Sequence, residues 1–411
     1  MMDKVSRLNV FVGDLLAGEL IRENAHYRFT YGAAYQGPPV FLGWPLNRRE
    51  YTWDNFPPAF DSLLPEGVLL EQLLMKDKLD RADKWGQLVA VGLDLTGFVA
   101  VLPTDSELKP YGKIVPGQKL RKRMAIQPGE QAIPYTTPEL VAYHGKHTLR
   151  MSLSGVQPKV SAVFSRKKHC FQVVESNGSY ILKPSPQAFP GAAENEALTM
   201  KLARQAGIAV PRCGWLPALD AAGVFWIERF DRWGASNRQR VRCEDVCQIL
   251  NVPASWKYLG NLETLARIIR EHCSNPQLQL ARLFQRVLFC WLTGNGDMHL
   301  KNWSLLENGP LIELAPAYDY LNTRLLIEDE EESALALDDR KTGYDAALLI
   351  DYFGREVCKL NDKIIENFLD AIKRVRWKDA IRESRLSDED IVNYIRIVEE
   401  RFSRLNLSSP K

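Results

Sequence analysis

The sequence predicts an α+β fold in two lobes, the first rich in strands and the second helical, with an additional α/β subdomain ahead of both. Three observations carry that prediction. Short apolar runs separated by turn residues occupy Val160 to Phe164, Phe171 to Val174 and Tyr180 to Leu182, the pattern of a β-meander. Later in the chain the apolar spacing becomes helical, at Leu283 to Leu292, Lys363 to Val375 and Asp388 to Phe402, with Ile364, Phe368 and Ile372, or Ile391, Ile395 and Val398, on one face. Between the strands and the last helices, Thr293 to Asn302 is a polar loop dense in Gly, Asn and Asp.

In chain order, residues 1–102 read as the N-terminal α/β subdomain and 103–138 as a Pro/Gly-containing connection. The dense basic run Lys119 to Arg123 falls in that connection and reads as solvated linker rather than a DNA-reading element. Residues 139–231 form the strand-rich lobe and 232–411 the helical one.

The strand-rich lobe opens with Ser152, Leu153, Ser154, Gly155, Val156 and Gln157, a small-residue turn whose backbone N–H groups can form an anion-binding nest, or which is only a hairpin loop. Lys159, Lys167 and Lys168 read as solvated, whereas Lys183 ends an apolar strand. A helix follows over Ala197 to Gln205, stopped by Gly207, and either Glu194 or Glu196 at its start could orient Lys183 or simply favour the positive helix end. Gly223 to Ile227 is an apolar strand running into Glu228, Arg229 and Phe230, a suitable hinge for adenine binding by backbone groups.

Asp297 and Asn302 stand five residues apart. In phosphoryl transfer one loop must supply both a carboxylate that accepts the proton of the attacking hydroxyl and an amide oxygen that holds Mg²⁺ on the nucleotide. A second metal-binding carboxylate is needed, and Asp319 follows a predicted hairpin formed by Trp303 to Leu306 and Leu311 to Leu314 around Asn308-Gly309. His299 lies inside the loop, where a structural hydrogen bond outweighs proton transfer because Asp297 already supplies a base. Lys301 is placed to stabilise charge on the transferring group, with an exposed lysine as the ordinary alternative.

Taken jointly, Ser-Leu-Ser-Gly-Val-Gln-Pro-Lys, Ile-Leu-Lys-Pro-Ser-Pro, Glu-Asn-Glu, Ile-Glu-Arg-Phe-Asp-Arg, Cys-Glu-Asp-Val-Cys-Gln, Gly-Asn-Gly-Asp-Met-His-Leu-Lys-Asn and Ala-Tyr-Asp-Tyr resemble the HipA-like toxin serine/threonine kinases, in that family's order. Phe60 to Gly67 and Leu95 to Val99 resemble the family's N-terminal subdomain, so the likeness spans nearly the whole chain, while the Ser-x-Ser loop resembles the split members. The resemblance implies a bilobal protein-kinase-like fold with Asp297 as base, Asn302 and Asp319 as Mg²⁺ ligands, Lys183 on the ATP phosphates and Ser152 to Gly155 as the nucleotide loop. It further implies autophosphorylation at Ser152 or Ser154, an aminoacyl-tRNA synthetase as protein substrate, and a helix-turn-helix antitoxin through which alone operator DNA is reached. No His-Arg precedes Asp297 and no Phe-Gly follows Asp319, so the usual switch of a Phe side chain is not implied.

Composition narrows the class. With 45% hydrophobic residues and a net charge of +2, the 411-residue chain can bury proper cores and lacks the broad basic excess of a nucleic-acid binder. Seven scattered cysteines, without a C-x-x-C pair, fit reduced thiols in the cytoplasm. Cys243 and Cys247 would share one helical face as small buried thiols. The charged start carries no secretory signal, and no apolar run is long enough for a membrane. The acidic run Ile327 to Ser333 reads as a solvated loop. Two other functions stay open on the residues alone: a kinase of a small-molecule acceptor, and a catalytically silent binding or co-repressor module.

Overall fold

The computed structural model describes residues 5–107, 109–110, 132–141, 157–174, 176–233 and 239–408. The expected nucleotide-loop residues Ser152, Leu153, Ser154, Gly155 and Val156 lie outside the described residues, as does the basic run 119–123.

The N-terminal subdomain is built on strands β1 (Arg7–Val12), β2 (Leu15–Glu23), β3 (His26–Tyr31), β4 (Glu50–Trp53) and β5 (Val99–Pro103), an antiparallel sheet of order β4-β3-β2-β1-β5. Alternation sets which face is buried: Leu8, Val10 and Val12 point into a core with Phe29, Phe41, Trp44, Phe60 and Trp85. Helices α1 (Pro58–Asp61), α2 (Gly67–Asp77) and α3 (Lys84–Val91) complete this layer, and the Asp83 side chain caps α3 by accepting from Gly86 N.

A second sheet contains β6 (Val160–Ser165), β7 (Cys170–Val173), β8 (Tyr180–Pro184), β9 (Cys213–Pro217) and β10 (Gly223–Glu228), in the order β7-β6-β8-β10-β9. A meander would pair β7 with β8; here β8 pairs on the far side of β6 instead. The crossing depends on Gly178, where an added Cβ would come 2.0 Å from Ser161 Oγ, and on Asn177, held at φ 57 with its N–H donating to Asp94. Helix α4 (Ala192–Gln205) packs behind β9 and β10 and begins five residues before the apolar periodicity announces it.

The short ribbon β11 (Arg232–Trp233) and β12 (Gln239–Arg240) leads to β13 (Cys243–Asp245) and α5 (Val246–Leu250). Cys243 and Cys247 therefore sit on different elements rather than one helical face, because Asp245 accepts from Gln248 N and starts the helix between them. Helices α6 (Leu262–His272) and α7 (Pro276–Leu292) form the centre of the helical lobe; α7 carries Pro at its first turn and is buried along most of its length. The hairpin β14 (Ser304–Asn308) and β15 (Leu311–Leu314) turns through Gly309 and Pro310, since Asn308 pairs with Leu311 and Gly309 takes φ 66. A π-helical segment, Ala347–Val357, precedes α8 (Asp362–Arg374), α9 (Trp377–Arg382) and α10 (Asp388–Arg404). Phe289, Trp291, Trp377, Tyr394 and Phe402 fill the space between these helices; each such side chain stabilises by about 1.5–3 kcal/mol when fully buried.

Polar contacts join the N-terminal subdomain to both lobes. Asp94 pairs with Arg232 (2.9 Å) and Arg240 (2.5 Å), Arg229 pairs with Asp231 (2.7 Å), and Gly97 N donates to Asp231 (3.2 Å), all buried. The Glu244 carboxylate accepts from Leu42 N, and Ser62 Oγ donates to Asp245. The Arg-Phe-Asp-Arg stretch is thus as much a seam between subdomains as a hinge.

Candidate active site

The strand-rich sheet, the loop after α7 and the 254–260 segment enclose a cleft of about 520 Å³. Gln157, Lys183, Glu196, Glu228, Phe230, Asp297, His299, Lys301, Asn302 and Asp319 all line it. This brings together residues that are up to 162 positions apart in sequence.

Lys183, at the end of β8, is buried and donates to Glu196 Oε1 at 2.6 Å and to Asp319 Oδ1. Burial alone would lower the Lys183 pKa, but the Asp319 and Glu196 carboxylates hold it well above the ordinary lysine value. Its helix partner is Glu196 and not Glu194. Both glutamates are inside α4, so the helical turn separates them: Glu194 accepts from Trp215 Nε1 at 2.9 Å and Ser185 Oγ at 3.3 Å. Asn195 between them donates to Asn322 O at 2.9 Å and accepts from Asn322 N at 2.7 Å, tying α4 to the chain that follows Asp319. Each residue of the Glu-Asn-Glu triplet thereby serves different partners, and sequence reasoning missed the role of the middle one.

Asp319 occupies the left-handed region at φ 56, a conformation that Asp tolerates better than most residues. Burial would raise its pKa; the ammonium groups of Lys183 and Lys159 hold it below the ordinary carboxylate value. Lys159 itself departs from expectation. Rather than being solvated, it is buried in the cleft wall, and burial lowers its pKa to about 8. The Pro158 to Val160 chain leads straight into the sheet, which pulls the lysine inward where its composition alone suggests a surface.

The loop after α7 is shaped by Gly294, at φ 73, where a Cβ would come 2.5 Å from Asn322 Oδ1. Asp297 accepts a hydrogen bond from Tyr258 OH at 2.8 Å, and the Asn302 side-chain amide donates to Asp297 O at 2.9 Å. That bond assigns Nδ2, and among the described residues no donor reaches Asn302 Oδ1. Burial raises the Asp297 pKa above its ordinary value, outweighing Tyr258 and Lys257.

His299 is buried, its ring edge-on to Tyr258 at 5.2 Å, and burial lowers its pKa to about 3, so it is neutral at physiological pH. Lys301 is neither exposed nor free to swing to a phosphate: its Nζ pairs with Glu66 Oε1 at 2.6 Å and donates to Ser62 O at 2.8 Å. The short 3₁₀ turn Leu300–Asn302 points it away from solvent and towards the N-terminal subdomain.

At the hinge, the Glu228 carboxylate is taken by Arg212 (2.6 and 3.0 Å), and the N–H groups of Glu228 and Arg229 donate to Arg212 O and Ser179 O. Among the described residues no acceptor faces the Phe230 N–H, and the Phe230 ring lies 5.7 Å from Tyr318. The acidic run is only partly solvated, since buried Glu332 accepts from Trp291 Nε1 and pairs with Arg404. All seven cysteines are free thiols. Among the described residues no three or more His, Cys, Asp or Glu side chains cluster as a metal site, and no helix is long and apolar enough to cross a membrane.

A lysine–glutamate pair facing a loop that carries Asp and Asn, with a further Asp on the lysine, defines a phosphotransferase of the kinase type. Residues 151–381 match the HipA-like C-terminal domain and residues 8–102 the HipA N-terminal domain. The chain belongs to the HipA family of serine/threonine kinases. It is 28% identical over 357 residues to the serine/threonine-protein kinase toxin HipA of Shewanella oneidensis, covering 82% of this chain and 79% of that one. The Sinorhizobium fredii protein Y4dM is 32% identical over 340 residues, covering 78% of this chain and 75% of its own. In fold, the chain is similar to HipA of Shewanella oneidensis solved with HipB and its operator DNA, at a TM-score of 0.72 and 24% identity over 97% of both chains.

Proposed function

We propose that this protein is an ATP- and Mg²⁺-dependent serine/threonine kinase acting in the cytoplasm as the toxin of a toxin–antitoxin pair, with an aminoacyl-tRNA synthetase as its protein substrate and a helix-turn-helix antitoxin as its restraint. The observation that carries the kinase chemistry is the convergence of Lys183, Glu196 and Asp319 with Asp297 and Asn302 on one cleft. Membership of the HipA family, and the HipB and operator DNA bound to HipA in the Shewanella structure, support the toxin and antitoxin parts.

The donor set fits a Mg²⁺ ion: one carboxylate, Asp319, and one carboxamide oxygen, Asn302 Oδ1, are the few oxygen ligands such an ion takes from protein when phosphates and water complete its shell. Bound there, Mg²⁺ neutralises charge on the nucleotide phosphates. Lys183, held by Glu196, binds the phosphate oxygens of ATP. Phe230 N–H donates to the adenine edge. Asp297 Oδ2 receives the proton of the serine or threonine hydroxyl as its oxygen attacks the γ-phosphorus, and ADP leaves. His299, neutral and buried, packs its ring edge-on against Tyr258.

The family resemblance adds a loop switch. A phosphate on Ser152 or Ser154 brings nearly two negative charges beside the triphosphate and repels ATP.

The test is to strip existing phosphate with a phosphatase, incubate wild type and Asp297→Gln with Mg-ATP, and follow intact mass and peptide maps. Phosphate on wild type alone, at Ser152 or Ser154, supports both the chemistry and the switch. A panel of aminoacyl-tRNA synthetases offered as acceptors then tests the substrate. ATP binding without transfer to the protein or any acceptor would overturn the kinase reading in favour of a silent binding module.

A further inference from the structure

The segment 254–260, between α5 and α6, presents Tyr258 to Asp297 while burying little of itself. Trp256 is 52% exposed, Tyr258 42% and Leu259 73%, so apolar packing does not fix its position. Polar ties to the N-terminal subdomain do. Ala254 N donates to Asp61 Oδ2 at 3.0 Å, and Lys257 Nζ donates to Glu66 Oε2 at 2.9 Å. The other oxygen of the same carboxylate pairs with Lys301 Nζ at 2.6 Å. One side chain of the N-terminal subdomain therefore grips both the segment that hydrogen-bonds Asp297 and the loop that bears it. Lys257 O also accepts from Leu300 N at 3.0 Å, which locks segment and loop together.

We propose that Glu66 is a positioning residue for phosphoryl transfer: through Lys257 and Tyr258 on one side and Lys301 on the other, it fixes the Asp297 carboxylate where the acceptor hydroxyl must meet it. On this reading the N-terminal subdomain completes the catalytic centre. The inference rests on Asp297 being the base. Glu66 acts across the subdomain seam, and nucleotide binding by Lys183 and Phe230 does not depend on it. A base must lie within hydrogen-bond reach of its proton, so a loosened carboxylate loses rate while ATP affinity is kept.

The experiment compares full-length wild type, Glu66→Gln and Tyr258→Phe for the rate of phosphate incorporation at saturating Mg-ATP, for ATP affinity by calorimetry, and for thermal midpoint. Expected for both variants is a rate loss of about 10-fold or more with ATP affinity kept within about 2-fold. An unchanged rate in either variant overturns the inference while leaving the kinase reading intact. Rate, ATP affinity and midpoint falling together mean a merely structural clamp and overturn it too. Absence of transfer by the wild type overturns the kinase reading, and this inference with it. If Glu66→Gln does not fold, Tyr258→Phe decides, because it removes one hydroxyl and keeps the ring.

Discussion

Lys183 Nζ lies 2.6 Å from Glu196 Oε1, while Glu194, two residues earlier on the same helix, turns to Trp215. A buried ammonium left without its partner carboxylate loses its fixed position and its compensation. Glu196→Gln should lower the phosphate-transfer rate by roughly 10²-fold. Glu194→Gln should leave the rate near wild type and cost about 1 kcal/mol of stability for its weakened hydrogen bonds. Parallel transfer assays and denaturant melts check both; equal rate losses in the two variants would remove Glu196 from its assigned place.

The oxygen ligands divide in a way that substitutions can read. Asp319 both pairs with Lys183 and faces the cleft, whereas the Asn302 amide nitrogen is spent on Asp297 O. Asp319→Asn should abolish detectable transfer and raise the Mg²⁺ concentration needed for tight ATP binding, by about 10-fold or more. Asn302→Ala should raise it less and also loosen the loop. Titrating Mg²⁺ against ATP affinity separates these, and an Asp319→Asn protein with wild-type Mg²⁺ demand would contradict the ligand assignment.

Local residue types marked the side chains that meet in the cleft better than the scaffold that holds them. Asp297, Asn302 and Asp319 were legible because a short loop and a hairpin fix their spacing, and Lys183 because it ends an apolar strand. Which glutamate meets Lys183 was not, since that depends on the start of α4, and Gly191 to Glu196 carry too few apolar residues to mark it. Strand order was hidden for a similar reason: a turn sequence at Asn177-Gly178 does not say on which side of β6 the next strand will pair. Lys159 reads as a surface residue in sequence, and Tyr258 and Glu66 meet their partners only through contacts between distant segments. For Glu66 the available signal was its place in Phe60 to Gly67, the stretch that resembles the family's N-terminal subdomain.

Acid dependence follows from the surroundings of Asp297. Burial raises its pKa, Tyr258 and Lys257 pull it down, and Asp319 and Glu66 push it up, leaving it above the ordinary value of 3.8. The base works only when deprotonated, so transfer should fall as pH drops through this raised pKa. Tyr258→Phe deletes the hydrogen bond that favours the charged form, and the acid limb should move to higher pH. Rate profiles from pH 4.5 to 8 at saturating Mg-ATP measure this, and a limb that moves to lower pH would refute it.

The seam around Asp94 makes a prediction about stability. Asp94 is fully buried; burial would raise its pKa, but the guanidinium groups of Arg232 and Arg240 hold it well below the ordinary carboxylate range. A carboxyl whose folded pKa is depressed contributes stability that is fully present above its unfolded value, near 3.8, and is lost as pH falls below that value towards the folded pKa. The protein should therefore keep this contribution at neutral pH and lose it progressively in acid. Asp94→Ala removes the carboxylate shared by two buried guanidinium groups and should cost on the order of 3–5 kcal/mol at pH 7. Because the wild type forfeits the same contribution in acid, the difference between wild type and Asp94→Ala should shrink as pH is lowered below about 4. Urea melts of both proteins at pH 7 and at progressively lower pH give that difference directly, and a gap that stays constant with pH would show that Asp94 is not held ionised by its arginines.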